Sequence, residues 1–134
     1  VTRTVLDVGW SNFAGYTFAP AVLAGDHLYI SGMTASADDG RIVGEGDIVE
    51  QTRVIFEKAR HVLESAGATM ADVVMTRDYF TTREGYAGTA AVRREFFGDS
   101  FPAATGVQVA GLLRRGALIE IEFVAVLTHG ASAS

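Results

Sequence analysis

The segment Leu118–Val126, reading LIEIEFVAV, constrains the fold more than any other part of the chain. Successive side chains of a strand point to opposite faces, so Glu120 and Glu122 share one face while Ile119, Ile121 and Phe123 share the other. The apolar face belongs to a core. The acidic face has two fates. If a helix or another subunit covers it, a carboxyl there acquires a raised pKa and becomes a usable proton donor or base. If it is open, the two glutamates are the polar side of a half-buried strand, an ordinary reason for such alternation.

The segments around it predict an α+β architecture. Thr4–Val8 reads as a strand, Ala24-Gly25-Asp26 as a turn and His27–Ile30 as a strand closed by Ser31-Gly32. Asp38-Asp39-Gly40 reads as a second turn. A helix is expected over residues 47–66, with an Asp47/Glu50 capping pattern, an apolar stripe through Ile48, Ile55, Ala59, Val62, Leu63 and Ala66, and Gly67 as its stop. Asp72–Phe80 reads as a strand. Thr81 with Glu84 repeats the capping signal for a second helix ending at Gly98, which then has to carry Gly85 and Gly88 in its interior at a cost of up to ~1 kcal/mol each. Thr105–Ala110 and Ala117–Leu127 read as strands joined by a hairpin connection through Arg114 and Arg115. Two helices cover only one side of a mixed sheet, so the far side points to oligomerisation.

With 134 residues, 49% of them hydrophobic, the chain fits one domain over residues 1–129, followed by a small polar tail at 130–134 expected to lack fixed structure. The formal charge is -5 and the basic residues form no stripe, which argues against a nucleic-acid partner. The absence of cysteine excludes disulfides, thiolate nucleophiles and Cys-ligated zinc. His27, His61 and His129 have no ligand spacing, so no metal site is expected. No apolar run approaches the ~20 residues that cross a bilayer, and the start has no leader pattern, so we expect no membrane partner and a cytoplasmic chain.

Taken in order, Phe18–Val22, Gly25-Asp26 through Tyr29–Gly32, Gln51-Thr52-Arg53, Ala66-Gly67-Ala68, Asp72-Val73-Val74, Glu95–Gly98, Phe101-Pro102-Ala103 and Gly116–Glu122 resemble the RidA/YjgF family of reactive-intermediate deaminases. The resemblance spans residues 16 to 127. It implies a chorismate-mutase-like α+β fold, a homotrimer with clefts between subunits that bind small molecules, and hydrolysis of enamines and imines such as 2-aminoacrylate to a keto acid and ammonia. Such hydrolysis needs a positioned water and proton transfers, so no cofactor is expected.

In that family Glu120 is the position that handles water or a proton, and Ser31 and Gly32 also match. Other positions depart. The arginine that holds the substrate carboxylate after Phe-Pro-Ala is Ala104 here, and an alanine cannot make a two-pronged charged contact. A frequent asparagine is Ala90, a tyrosine is Phe18 and a cysteine is Gly106. We therefore expect catalysis by Glu120 with Ser31, and a more apolar, roomier pocket lined by Phe18, Gly32, Met33, Ala90, Ala104, Thr105 and Gly106, for a substrate other than 2-aminoacrylate. The bland alternatives are a strand-ending turn for Ser31-Gly32 and interface packing for Phe18, Met33, Thr105 and the small residues Ala90, Ala104 and Gly106.

Arg77 and Asp78 point to opposite faces of one strand, so covering both faces buries a charge; an ion pair with the second helix or exposure at an edge accounts for them more simply than a role in the cleft. Arg93 and Arg94 are either a solvated helix face or a substitute clamp, and Arg114 and Arg115 read as hairpin-tip charges. A non-catalytic small-molecule-binding or protein-interaction trimer is the alternative to an enzyme. The ribonuclease activity attributed to some relatives fits poorly with the acidic charge and the scattered histidines.

Overall fold

The computed structural model describes residues 2–127, so the expected tail at 130–134 and His129 lie outside the described residues. Six strands form one sheet in the order β1-β2-β3-β6-β4-β5. They are β1 (Arg3–Val5), β2 (Ala21–Ala24), β3 (His27–Met33), β4 (Val73–Phe80), β5 (Ala103–Gln108) and β6 (Ile119–Val126), with helices α1 (Ile48–Ser65) and α2 (Thr89–Phe97). The acidic strand read from the sequence is β6, and it lies between β3 and β4, antiparallel to both. Its burial alternates with period two: Ile119, Ile121, Phe123 and Ala125 are buried, whereas the even-numbered residues are half-buried.

Helix α1 follows the predicted span closely. The Asp47 carboxylate accepts from the backbone N–H of Val49 and Glu50, both at 3.1 Å, which satisfies two of the donors a helix start leaves open. The stripe from Ile48 to Leu63 is buried. Phe56 joins the layers: its ring lies 5.3 Å from Phe96, 5.4 Å from Phe97 and 5.4 Å from Phe123, so both helices and β6 meet on one side chain. Buried Gln51 ties down two loops, donating to the carbonyls of Gly44 (3.1 Å) and Gly116 (3.3 Å) and accepting from Leu118 N–H (2.8 Å). One buried amide thereby fixes where the chain enters β6.

One strand was not expected, and two expectations need correction. The residues before His27 form a further strand, β2, paired with β3 through the turn at Gly25-Asp26. The second helix begins at Thr89 rather than near Thr81. Thr82, not Thr81, accepts from Glu84 N–H, and Gly85 adopts φ 77°, a left-handed conformation that ends any helix and suits glycine. Gly85 and Gly88 therefore stand outside α2 and impose no interior penalty on it. Finally, β5 and β6 are not a hairpin. β5 runs parallel to β4, which separates it from β6, so residues 109–118 must pass around the end of β4.

Arg77 and Asp78 divide between the two faces as expected. Asp78 is only 2% exposed and pairs with Arg93 of α2 at 2.5 Å, with the Tyr86 hydroxyl donating to it at 2.6 Å. Burial and that contact push the Tyr86 phenol up to about 12. Arg77 lies on the outer face beside Glu122, at 3.5 Å.

Candidate functional site

The two glutamates of β6 share a face but not a role. Tyr79 of β4 donates its hydroxyl to Glu122 Oε1 at 2.5 Å and Arg77 reaches Oε2, so Glu122 is held by its neighbours. Glu120, two residues along, has no hydrogen bond or ion pair among the described residues. Burial, and secondarily the negative charge of Glu122, raise its pKa above the usual carboxylate range. An unpaired acid with its pKa raised in this way beside a cavity is a candidate for proton transfer.

The backbone of β3 makes room for this acid. Between Ile30 and Met33 the pairing of β3 with β6 shifts register, so Ser31 and Gly32 together face a single residue of β6. Gly32 ends up against the Glu120 side chain: a Cβ built there clashes with Oε2 and stands 3.2 Å from Cδ. Any other residue at position 32 displaces the carboxylate.

Glu120 opens into a cavity of about 360 Å³. One wall is an arc of rings supplied by the short helical turn Ser11–Gly15 and its flanks. Trp10 stacks near Phe13 (5.9 Å), Phe13 meets Phe18 edge-on (5.5 Å), and Tyr16 stacks on Phe18 (5.1 Å). The arc is anchored from α1, where His61 stacks on Trp10 at 5.4 Å and its Nε2 lies 2.6 Å from the Val8 carbonyl. Met33 completes the apolar lining. The opposite end is basic. Lys58 of α1 donates to the carbonyls of Thr34 (2.8 Å) and Ser36 (3.2 Å), and its pKa is lowered to about 8, first by burial and then by the positive charge of Arg114. Arg114 also lines the cavity, donating to the Tyr16 hydroxyl at 3.0 Å.

Of the residues predicted for the site, Phe18, Gly32, Met33 and Glu120 meet in this cavity. Ser31 lines an adjoining depression shared with Phe18, and its hydroxyl donates to the Ala19 carbonyl at 2.6 Å, holding the segment that carries Phe18. Ala104, Thr105 and Gly106 sit on β5 at the far edge of the sheet, beyond β4, and Ala90 lies on α2; none of the four lines the cavity within one subunit. Gly106 faces Tyr86, whose Oη lies 3.0 Å from where a Cβ would be. Arg93 is committed to Asp78 and Arg94 is exposed, so neither reaches the cavity as a clamp.

Sequence reasoning missed the basic end and most of the aromatic arc. Arg114 read as a hairpin tip because the wrong strands were paired. A signal was present, since Lys58 is the only lysine of the chain and Trp10 its only tryptophan, and both line this one cavity. Among the described residues, no three His, Cys, Asp or Glu side chains cluster as metal ligands. No helix there is long and apolar enough to cross a membrane.

Known proteins share this frame. The family model described as Endoribonuclease L-PSP matches residues 11–127. YyfA from Yersinia pestis, a protein of unknown function in the conserved Rid family, is 30% identical over 94% of this chain and 100% of its own, with a TM-score of 0.85. Rv2704 from Mycobacterium tuberculosis, described as a member of the YjgF/YER057c/UK114 family, is 32% identical over 94% of this chain and 100% of its own, with a TM-score of 0.78. RidA from the Antarctic bacterium Psychrobacter sp. PAMC 21119 is 26% identical over 92% of this chain and 99% of its own, with a TM-score of 0.82. The matched span runs from the aromatic turn to the end of the acidic strand and so contains every cavity-lining residue except Trp10: the chain belongs to the Rid/YjgF/UK114 family.

Proposed function

We propose that this protein is a RidA-type hydrolase of enamines or imines, acting on a metabolite larger and flatter than 2-aminoacrylate, with Glu120 as the general acid and base. The single observation carrying this reading is the Glu120 carboxyl, unpaired, half-buried and seated against Gly32 at the mouth of an aromatic cavity. The reaction asks little else of a protein. Water adds to the C=N carbon while the Glu120 carboxylate takes one of its protons and passes it to nitrogen, giving a carbinolamine; Glu120 then takes the hydroxyl proton and delivers it to the amine as the C–N bond breaks and C=O forms, releasing a ketone and ammonia. One group does both jobs best when its pKa lies near the working pH, the direction in which burial moves Glu120.

The active form in this reading is a homotrimer with its clefts between subunits, and the protein works in the cytoplasm. Every residue of β5 is exposed, and Tyr29, Val74 and Val107 are apolar side chains left open to solvent in one subunit, which favours a covering copy. Ala104, Thr105 and Gly106 then line a cleft from the neighbouring subunit's edge, where their small size leaves space for a ring. A charge of -5 continues to disfavour a polyanionic RNA substrate.

The test is hydrolysis of 2-imino-3-phenylpropanoate, generated in place from phenylalanine by an amino-acid oxidase and followed as ammonia release ahead of the spontaneous rate. Acceleration by the wild type, exceeding that with 2-aminoacrylate, supports the reading. No acceleration of either imine contradicts it.

A further inference from the structure

Arg114 is the one cation lining the cavity without an acidic partner or backbone carbonyls around it. Among the described residues, Arg41, Arg53, Arg77 and Arg93 each pair with a carboxylate, whereas Arg114 has only the Tyr16 hydroxyl. It is half-buried, and it lies close over Gly40, where a Cβ would stand 2.9 Å from its Nη1. Lys58, facing the same space, already has its three donors directed at Thr34 and Ser36 and adds positive charge beside Arg114. Asp38 also lines the cavity, but its side of the loop is exposed to solvent. Lys58 and Arg114 stand together at this end of the cavity, Asp38 acts on Lys58 and Glu120 lines the same space, and the Arg114 guanidinium itself has no carboxylate partner. The guanidinium is hydrogen-bonded to a member of the ring arc, so a flat molecule lying along that arc brings its end group to Arg114.

We infer that Arg114, reinforced by Lys58, is an anion anchor, and that the cavity takes an aromatic or conjugated carboxylate with its ring on the Trp10, Phe13, Tyr16 and Phe18 arc. The planar fork of arginine suits a carboxylate. This deepens the reading above by naming the substrate class, yet it concerns binding alone and stands apart from turnover.

Because Trp10 is the only tryptophan and lines the cavity, its fluorescence reports occupancy directly. The experiment titrates the full chain with benzoate, benzyl alcohol and acetate. Benzoate is expected to bind about tenfold or more tightly than either of the others, the scale of one charge-assisted contact. In Arg114→Gln the benzoate affinity falls to that of benzyl alcohol, which itself is unchanged and so certifies an intact cavity, and Arg114→Lys recovers part of the difference. Equal affinities for benzoate and benzyl alcohol, no effect of Arg114→Gln, or no binding of any ring compound overturns the inference. Failure of imine hydrolysis with the benzoate preference intact removes the enzyme reading and leaves this one standing; loss of the preference with hydrolysis intact does the reverse.

Discussion

The Glu120 carboxyl rests on the space where a Gly32 side chain would begin, with Cδ 3.2 Å from that point and Oε2 closer still. Bulged strand and acid therefore form one unit. Gly32→Ala pushes the carboxylate aside into the cavity, and because that side chain is unpaired and can rotate, the expected cost in stability is under about 1 kcal/mol while kcat is lost. Urea unfolding and steady-state kinetics on the same preparation check both. Wild-type kcat in Gly32→Ala would detach the acid from the chemistry.

Glu120 has a second, thermodynamic signature. Its pKa in the folded chain is raised, so its contribution to stability is fully present below the ordinary glutamate pKa and is lost as pH rises through the folded value. At neutral pH Glu120→Gln removes that loss, and the variant is expected to be more stable than wild type by tenths of a kcal/mol, a figure reduced for solvent screening because the side chain is only half-buried. The gain disappears as the pH is brought below 4. Denaturant midpoints at pH 4 and 7.5 measure it, and a less stable Glu120→Gln at pH 7.5 contradicts it.

Lys58 supplies a direct electrostatic readout. As the only lysine, it gives a single side-chain resonance when lysine is labelled with carbon-13, and the midpoint is expected at about 8. Arg114→Gln removes one of the two causes and moves the midpoint upward. A midpoint near that of free lysine means that the two cations do not share the cavity.

The two ion pairs of β4 are expected to differ sharply. Arg93→Met strands Asp78, 2% exposed, with Tyr86 as its remaining partner, and costs about 3 kcal/mol of stability. Arg77→Ala breaks a contact open to solvent and costs under about 1 kcal/mol. Denaturation midpoints separate them, and neither change alters benzoate binding at Trp10. A larger cost for Arg77→Ala reverses the assignment of faces.

Local chemistry made much of this fold readable. Asp47 with its apolar stripe marks α1 because capping and burial both act within a few turns, and the period-two acids mark β6 because a strand's faces are fixed by its own geometry. The same logic put Arg77 and Asp78 on opposite faces, and left to the folded chain which of the two would be buried against the second helix. Pairing partners are a tertiary choice, and there the sequence was ambiguous. Thr105–Ala110 and Ala117–Leu127 look like a hairpin, yet β4 intervenes, and the longer path around its end brings Arg114 into the cavity over Gly40. Gly85 looked like a flaw inside a helix because its positive φ is invisible in sequence. Glu120, Gly32, Phe18 and Met33, named from the family resemblance, line one cavity; the aromatic turn and the basic end depend on loops that only the folded chain brings together.

The most direct test of the account is the turnover of 2-imino-3-phenylpropanoate by Glu120→Gln beside wild type, with benzoate binding at Trp10 recorded for both. The account predicts that kcat falls by about 100-fold or more, the usual worth of a positioned acid and base, while the binding signal remains. Undiminished turnover in Glu120→Gln with the cavity intact contradicts it.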